Sequence, residues 1–337
     1  MKRLISFFLS LLLAFFSVNV IARNLSWHQW VAQLKKEAVA QGIDSSLFDN
    51  IFNKIPGPDP QILRFDHTQP EQRISFYKYR NTRGDKYKII IGRRELQLHR
   101  KLLQNVGRDF SVDPCFIVAL WGMETSYGHY MGNFPVIKSL ATLAYDSRRS
   151  EHFRKELLLA LQIVNDKQVA LEKFKGEWAG ASGQPQFLPS SWFNYAVDYD
   201  HDGRKDIWSS YPDVFASIAN YLAKNGWRMN EPWAITVKLP ANFDRSLIDK
   251  NNVRLVSQWN ELGIRTLSGA PLPNQNLSAS LVQPDGGPTF LAFNNFRTLL
   301  TYNNSIYYAG TIGYMADEIC ALQDTHKHKV SKKTIKR

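Results

Sequence analysis

The sequence predicts a mainly α-helical protein with a smaller α+β part, on three observations. Apolar residues recur at helical spacing from Trp27 to about Ile55, from about Gly92 to Val106, and across Asp113 to Trp227. Beyond Trp233 the pattern changes to short alternating runs cut by Pro and Gly. Aromatic residues make up 13% of the chain and hydrophobic residues 44%, a composition that can bury a core and is unlike that of a disordered chain.

At the N-terminus, Lys2 and Arg3 precede an apolar run from Leu4 to about Val20 that ends in Val20-Ile21-Ala22. The run is shorter than the roughly 20 residues of a spanning helix and a small-residue cleavage pattern follows it, so residues 1–22 read as a secretory signal peptide. No Cys stands at that boundary to accept a lipid. The expectation is a periplasmic mature chain without a transmembrane segment. Residues 23–91 follow as an N-terminal helical segment. Its helices carry Trp30, Leu34, Ala38, Leu47 and Ile51, and Pro56-Gly57-Pro58-Asp59-Pro60 ends them. A polar stretch with clustered aromatics (Phe76, Tyr77, Tyr79, Tyr87) leads to the helical core, residues 92–232.

In the C-terminal segment, 233–322, Ala234 to Val237 and Ser278 to Val282 read as strands, and a last amphipathic helix spans about Ser305 to Leu322. Residues 323–337 read as a disordered basic tail. The net charge of +12 includes Lys2 and Arg3 and, in the tail, Lys327, Lys329, Lys332, Lys333, Lys336 and Arg337. Without these eight residues the chain keeps only about +4, so the charge favours attraction to an anionic envelope over nucleic acid. The two cysteines, Cys115 and Cys320, lie far apart and lack metal-type spacing. A disulfide and a pair of buried free thiols both remain open.

Asp113-Pro114 is a strong helix start, because Asp caps the free amides and Pro fits the first helical position. Ile117, Leu120, Trp121 and Glu124 then share one face. A carboxyl held against Leu120 and Trp121 is desolvated and stays protonated near neutral pH, as a general acid requires. Gly122 and Gly128 flank it and are expected to admit a polymer close to the backbone. A solvated late-helix carboxylate gives the same spacing, so the pattern alone does not decide.

The segment Ala119-Leu120-Trp121-Gly122-Met123-Glu124-Thr125-Ser126-Tyr127-Gly128 resembles the catalytic signature of the lytic murein transglycosylase B family. Further motifs follow in that family's order. These are Ser139 to Leu143, Arg148-Arg149, Trp178 to Ala181, Gly183-Gln184-Pro185-Gln186-Phe187, Pro189-Ser190-Ser191, Asn220-Tyr221-Leu222, Gly226-Trp227, Asn295-Phe296, and Tyr302-Asn303 with Ser305. The resemblance runs from about Trp27 to Leu322.

It implies a lysozyme-like helical catalytic core with Glu124 as the one acid and base. Tyr79, Gln186, Tyr221, Tyr302 and Asn303 would line a glycan groove, and Arg148 and Arg149 would face the peptide-bearing side. The implied reaction cuts the N-acetylmuramic acid–N-acetylglucosamine β-1,4 bond of peptidoglycan and leaves 1,6-anhydromuramyl ends. The implied partner is the glycan strand, engaged by a monomer, with a cell-wall synthesis complex left open. Where the family has Ser before Trp-Ala-Gly, this chain has Glu177, which reads either as a second carboxylate for a hydrolase or as an outward loop residue. Ser182 and His152 also depart from the pattern.

A second constellation, Asp198-x-Asp200-x-Asp202-Gly203, with Arg204 at position seven and Asp206 at nine, fits the start of an EF-hand calcium loop. Position twelve is Ser209 in place of the bidentate Glu, which weakens the site. The expectation is structural calcium and no organic cofactor, against the alternative of a metal-free acidic turn.

Overall fold

The computed structural model of the chain describes residues 25–68, 74–146, 149–273 and 276–334, residues 322–334 by backbone alone. The expected signal peptide, residues 1–22, and Arg148 lie outside the described residues. The N-terminal helices are α1 (Trp27–Ala40), α2 (Ser45–Phe52), α3 (Pro60–His67), α4 (Phe76–Arg83), α5 (Lys86–Leu98) and α6 (Arg100–Phe110). The sequence pattern marks α1 and α2 but reads 61–91 only as a polar aromatic stretch. The cause of the extra helices is local capping: Asp59, Ser75 and Asp85 each accept a backbone N–H from the first turn of α3, α4 and α5.

Helix α7 (Pro114–Thr125) begins as anticipated, with Asp113 Oδ1 accepting the Cys115 amide at 2.8 Å. Next come β1 (Phe134–Pro135), α8 (Val136–Tyr145), α9 (Ser150–Asn165), β2 (Lys175–Gly176), α10 (Pro189–Tyr195) and α11 (Tyr211–Lys224). The C-terminal part holds β3 (Ala234–Lys238), β4 (Val253–Leu255), α12 (Val256–Glu261), β5 (Arg265–Thr266), β6 (Ser278–Val282) and β7 (Phe290–Ala292). These strands form one antiparallel sheet in the order β4-β6-β7-β3-β5. Two helices close the chain, α13 (Asn294–Tyr302) and α14 (Ile306–Thr334).

Three cores organise these elements, and they are not contiguous in sequence. The first joins α4 to α7 with α11, α13 and α14 around Phe76, Trp121, Phe215 and Phe296. The second joins α1 to α3 with α8 to α10 around Trp30, Leu34, Phe48, Leu140 and Phe174. The third lies under the sheet, with Trp259, Leu281 and Phe293. Tyr302 packs against both of the first two.

Two expectations change. Glu124 does not continue an apolar stripe on one face: α7 is buried all round from Cys115 to Met123, and Glu124 alone among its last ten residues keeps partial exposure. A helix that is apolar on every side is a central core helix. The tail expected to be disordered from 323 continues as helix α14 to Thr334, with no Gly or Pro in 323–334 to stop it. Cys115 and Cys320 form a disulfide with Cα atoms 5.9 Å apart, joining the start of α7 to α14.

Candidate active site

The site forms where α7 ends. Ser126, Tyr127 and Gly128 all have positive φ, so the chain turns sharply straight after Glu124 and Thr125. A non-glycine residue in that region costs on the order of 1–3 kcal/mol and persists only where its surroundings hold it. Tyr127 is held by its hydroxyl, which donates to the Lys88 carbonyl at 2.7 Å, and by the Trp121 ring 5.3 Å away. Gly122 and Gly128 serve this turn rather than an approaching polymer. A Cβ on Gly122 would lie 2.5 Å from the Tyr127 ring, and one on Gly128 would lie 2.6 Å from Gln184 Oε1.

Glu124 projects from this end of α7 toward α14. The buried Tyr308 hydroxyl donates a hydrogen bond to Glu124 Oε1. Burial pushes the Glu124 carboxyl up to about 7, opposed by the Tyr308 hydrogen bond and then by the cations Lys88 and Arg83. Burial also raises the Tyr308 and Tyr302 hydroxyls well above their ordinary value, with the Glu124 charge adding to the rise in both. Tyr79 is raised by burial and also feels Glu124. The groups gathered here are therefore one carboxyl with a raised pKa, three phenols and two cations.

Tyr302 stacks against Tyr308 with ring centres 6.5 Å apart, and Tyr221 lies 4.5 Å from Tyr302. The Tyr221 hydroxyl donates to the Thr301 carbonyl at 2.7 Å, so both tyrosines are fixed at the seam between the two large cores. Gln186, in left-handed conformation at φ 54°, donates from Nε2 to the carbonyls of Gly183 at 2.9 Å and Met131 at 3.2 Å. Asn303 follows Tyr302 and is exposed.

The remaining site candidates lie apart from this cluster. Arg149 pairs with Asp66 of α3 and lies over the Phe153 ring at 5.0 Å. Phe65, beside Asp66, packs 6.4 Å from Trp178, so α3 connects the arginine to the Glu177 turn. Glu177 itself is exposed, and only its backbone closes that turn, through Glu177 N to Ala181 O at 2.8 Å. Ser182 is buried in the adjoining bridge to Phe187, and His152 is exposed.

Three residues that touch or charge Glu124 escape the sequence reading: Tyr308, Lys88 and Arg83. The usable signal for Tyr308 was its place in the first turn of the last helix, six residues beyond Tyr302.

In the acidic loop, carboxylate oxygens of Asp198, Asp200 and Asp202 lie within 4.8 Å of one another. Asp198 accepts the amides of Asp202 at 3.1 Å and Gly203 at 2.9 Å, which folds the loop inward. Asp206 is turned away: its Oδ1 accepts the amides of Trp208 and Ser209, and the Ser209 hydroxyl donates to its Oδ2. Arg204 pairs with Asp202 at 3.0 Å. Three convergent carboxylates fit a hard cation, while positions nine and twelve do not join them.

The transglycosylase SLT domain model matches residues 26–317. Membrane-bound lytic murein transglycosylase B of Escherichia coli K12 is 32% identical over 219 residues, which are 62% of this chain and 58% of that protein's length. SltB3 from Pseudomonas aeruginosa, solved in complex with NAG-anhNAM-pentapeptide, superposes with a TM-score of 0.84 at 42% identity, covering 87% of this chain and 79% of that one. The Escherichia coli lytic transglycosylase Slt35 in complex with calcium gives a TM-score of 0.76 at 27% identity, over 87% and 93% of the two chains. With a family match along almost its whole described length, the chain belongs to the SLT-domain transglycosylase family.

Proposed function

We propose that this chain is a lytic transglycosylase of the peptidoglycan glycan strand, with Glu124 as acid and then base. The observation that carries the reading is a desolvated carboxyl, held near pKa 7 at the end of a buried helix and surrounded by phenols and cations. In the first step Glu124 gives its proton to the glycosidic oxygen between N-acetylmuramic acid and N-acetylglucosamine, and the C1–O bond breaks. In the second, the Glu124 carboxylate takes the proton of the muramyl 6-hydroxyl as O6 bonds to C1. Glu124 ends protonated, water is not consumed, and a 1,6-anhydromuramyl end results.

A two-carboxylate hydrolase needs a second acid aimed at the same bond. Glu177 is exposed, and the charges acting most strongly on Glu124 are cationic. Tyr79, Tyr221, Tyr302, Gln186 and Asn303 are read as groove residues, and Arg149 as a contact for the peptide-bearing side. Export to the periplasm belongs to the same reading; among the described residues no helix is long and apolar enough to cross a membrane. Calcium is read as a structural ion held by Asp198, Asp200, Asp202 and the Arg204 carbonyl, supporting the turn on which α11 begins.

Mass spectrometry of fragments released from purified sacculi tests the activity. Wild type is expected to release anhydromuramyl ends, and Glu124→Gln to release none above background. Reducing ends would assign a hydrolase instead, and equal release by both proteins would remove Glu124 from the chemistry.

A further inference from the structure

Behind Glu124 lies a buried polar clamp. Trp121 Nε1, one turn before Glu124, donates to Gln184 Oε1 at 2.7 Å. Thr125, directly after Glu124, donates from its hydroxyl to the Gln184 carbonyl at 3.0 Å and accepts the Gly128 amide at 3.0 Å. Gln184 also reaches away from the site. Its amide N–H donates to the Ile207 carbonyl at 2.9 Å and its Nε2 to the Trp208 carbonyl at 3.0 Å. Trp121, Thr125 and Gln184 are each 5% exposed or less, so water does not replace a lost partner.

We propose that Gln184 is a positioning residue that fixes the helical turn carrying Glu124 and ties it to the far end of the 198–209 loop. The clamp holds the residues on both sides of the catalytic carboxyl, at Trp121 and Thr125, and none of these hydrogen bonds goes to Glu124 or to a groove tyrosine. Its grip on α7 is only as firm as its grip on Ile207 and Trp208. Trp208 is held in turn by Asp206, whose carboxylate accepts the Trp208 amide at 2.9 Å. The tight space explains why the turn admits no side chain at position 128. A misplacement of about 1 Å in a catalytic group can cost on the order of a hundredfold in rate.

A double-mutant cycle on turnover of sacculi tests the clamp, using Gln184→Met, Trp121→Phe and the pair. Each single variant is expected to lower kcat about ten- to a hundredfold with KM within about threefold. The pair should be no slower than the worse single, because one contact is removed twice. The alkaline limb of kcat/KM should also move, since Glu124 shifts against Lys88 and Tyr308. Thr125→Val breaks the other arm of the clamp while keeping the side-chain shape, and it serves if Gln184→Met does not fold; about a tenfold loss in kcat is expected. Asp206→Ala should slow wild type and leave Gln184→Met no slower.

Independent, multiplicative losses in the cycle would overturn the proposal. Turnover of folded Gln184→Met or Thr125→Val within twofold of wild type would do so as well. An equal further loss from Asp206→Ala in both backgrounds would remove the link to the loop. The inference rests on Glu124 as the acid, and Glu124→Gln separates the two: an active Glu124→Gln defeats that reading, whereas an inactive one beside a normal Gln184→Met defeats only this inference.

Discussion

At the scale of residues, Glu124 as the proposed acid would serve the reaction at the expense of the fold. Its carboxyl rises from 4.5 to about 7 because burial disfavours the charged form more than Tyr308, Lys88 and Arg83 favour it. At about 1.4 kcal/mol per pH unit, this difference is worth roughly 3 kcal/mol. A carboxyl whose folded value is raised binds its proton more tightly in the folded state, so stability is full below about 4.5 and falls as pH rises through 7. Glu124→Gln is isosteric with the protonated acid and cannot ionise. It is expected to match wild type at pH 4 and to melt several degrees higher at pH 8, in calorimetric scans at both pH values. Activity should share this preference for the protonated form, with kcat/KM falling as pH rises past about 7 because the acid is lost. Tyr308→Phe removes the hydrogen bond that holds the carboxyl down, so the alkaline limb is expected to move to higher pH while kcat drops on the order of tenfold. An unmoved limb in the pH–rate profile would separate Tyr308 from Glu124.

At the scale of elements, α7 was legible because its start carries chemistry: the Asp113 cap and Pro114 predict its first turn, and both are in place. Helices α3 and α4 were not, because their hydrophobic content is low and their order comes from single capping side chains and from tertiary packing of Ile62 and Phe76. The position of Glu124 was therefore readable, whereas Tyr308, Lys88 and Arg83 meet it only through the packing of α4, α5 and α14 on α7. The apolar face inferred for α7 was half of the truth, since buried helices have no polar face against which to define one. The acidic loop was read from spacing alone, and three of its carboxylates do converge. With Asp206 turned away from them and Ser209 at position twelve, the proposed calcium would bind weakly, in the range where millimolar calcium adds about 1–2 kcal/mol. A calcium titration is expected to raise the melting temperature by a few degrees in wild type and by nothing in Asp200→Asn. A flat wild-type titration would make the loop a metal-free turn.

At the scale of the whole molecule, the two ends of the chain's functional part are fastened to one helix. Helices α7 and α14 run antiparallel: the start of α7 carries Cys115, bonded to Cys320 far along α14, and the end of α7 carries Glu124, bonded to Tyr308 in the first turn of α14. At 1.5 Å per residue the two fastenings are about 14 Å apart along α7 and about 18 Å along α14. The disulfide closes a loop with a sequence separation of 205, so it restricts the unfolded chain strongly; cross-links of this kind typically contribute 2–4 kcal/mol. Because α7 is already buried on every side, the native geometry at Glu124 is over-determined, and the bond's effect falls on stability before it falls on chemistry. The double variant Cys115→Ala, Cys320→Ala is therefore expected to melt well below wild type, with kcat at 25 °C within about threefold. Dithiothreitol should lower the wild-type melting temperature toward that of the variant and leave the variant's unchanged. A variant as stable as wild type would mean that packing alone holds α7 to α14. A stable variant with kcat reduced a hundredfold would mean that the far fastening reaches Glu124 through the length of the helix pair.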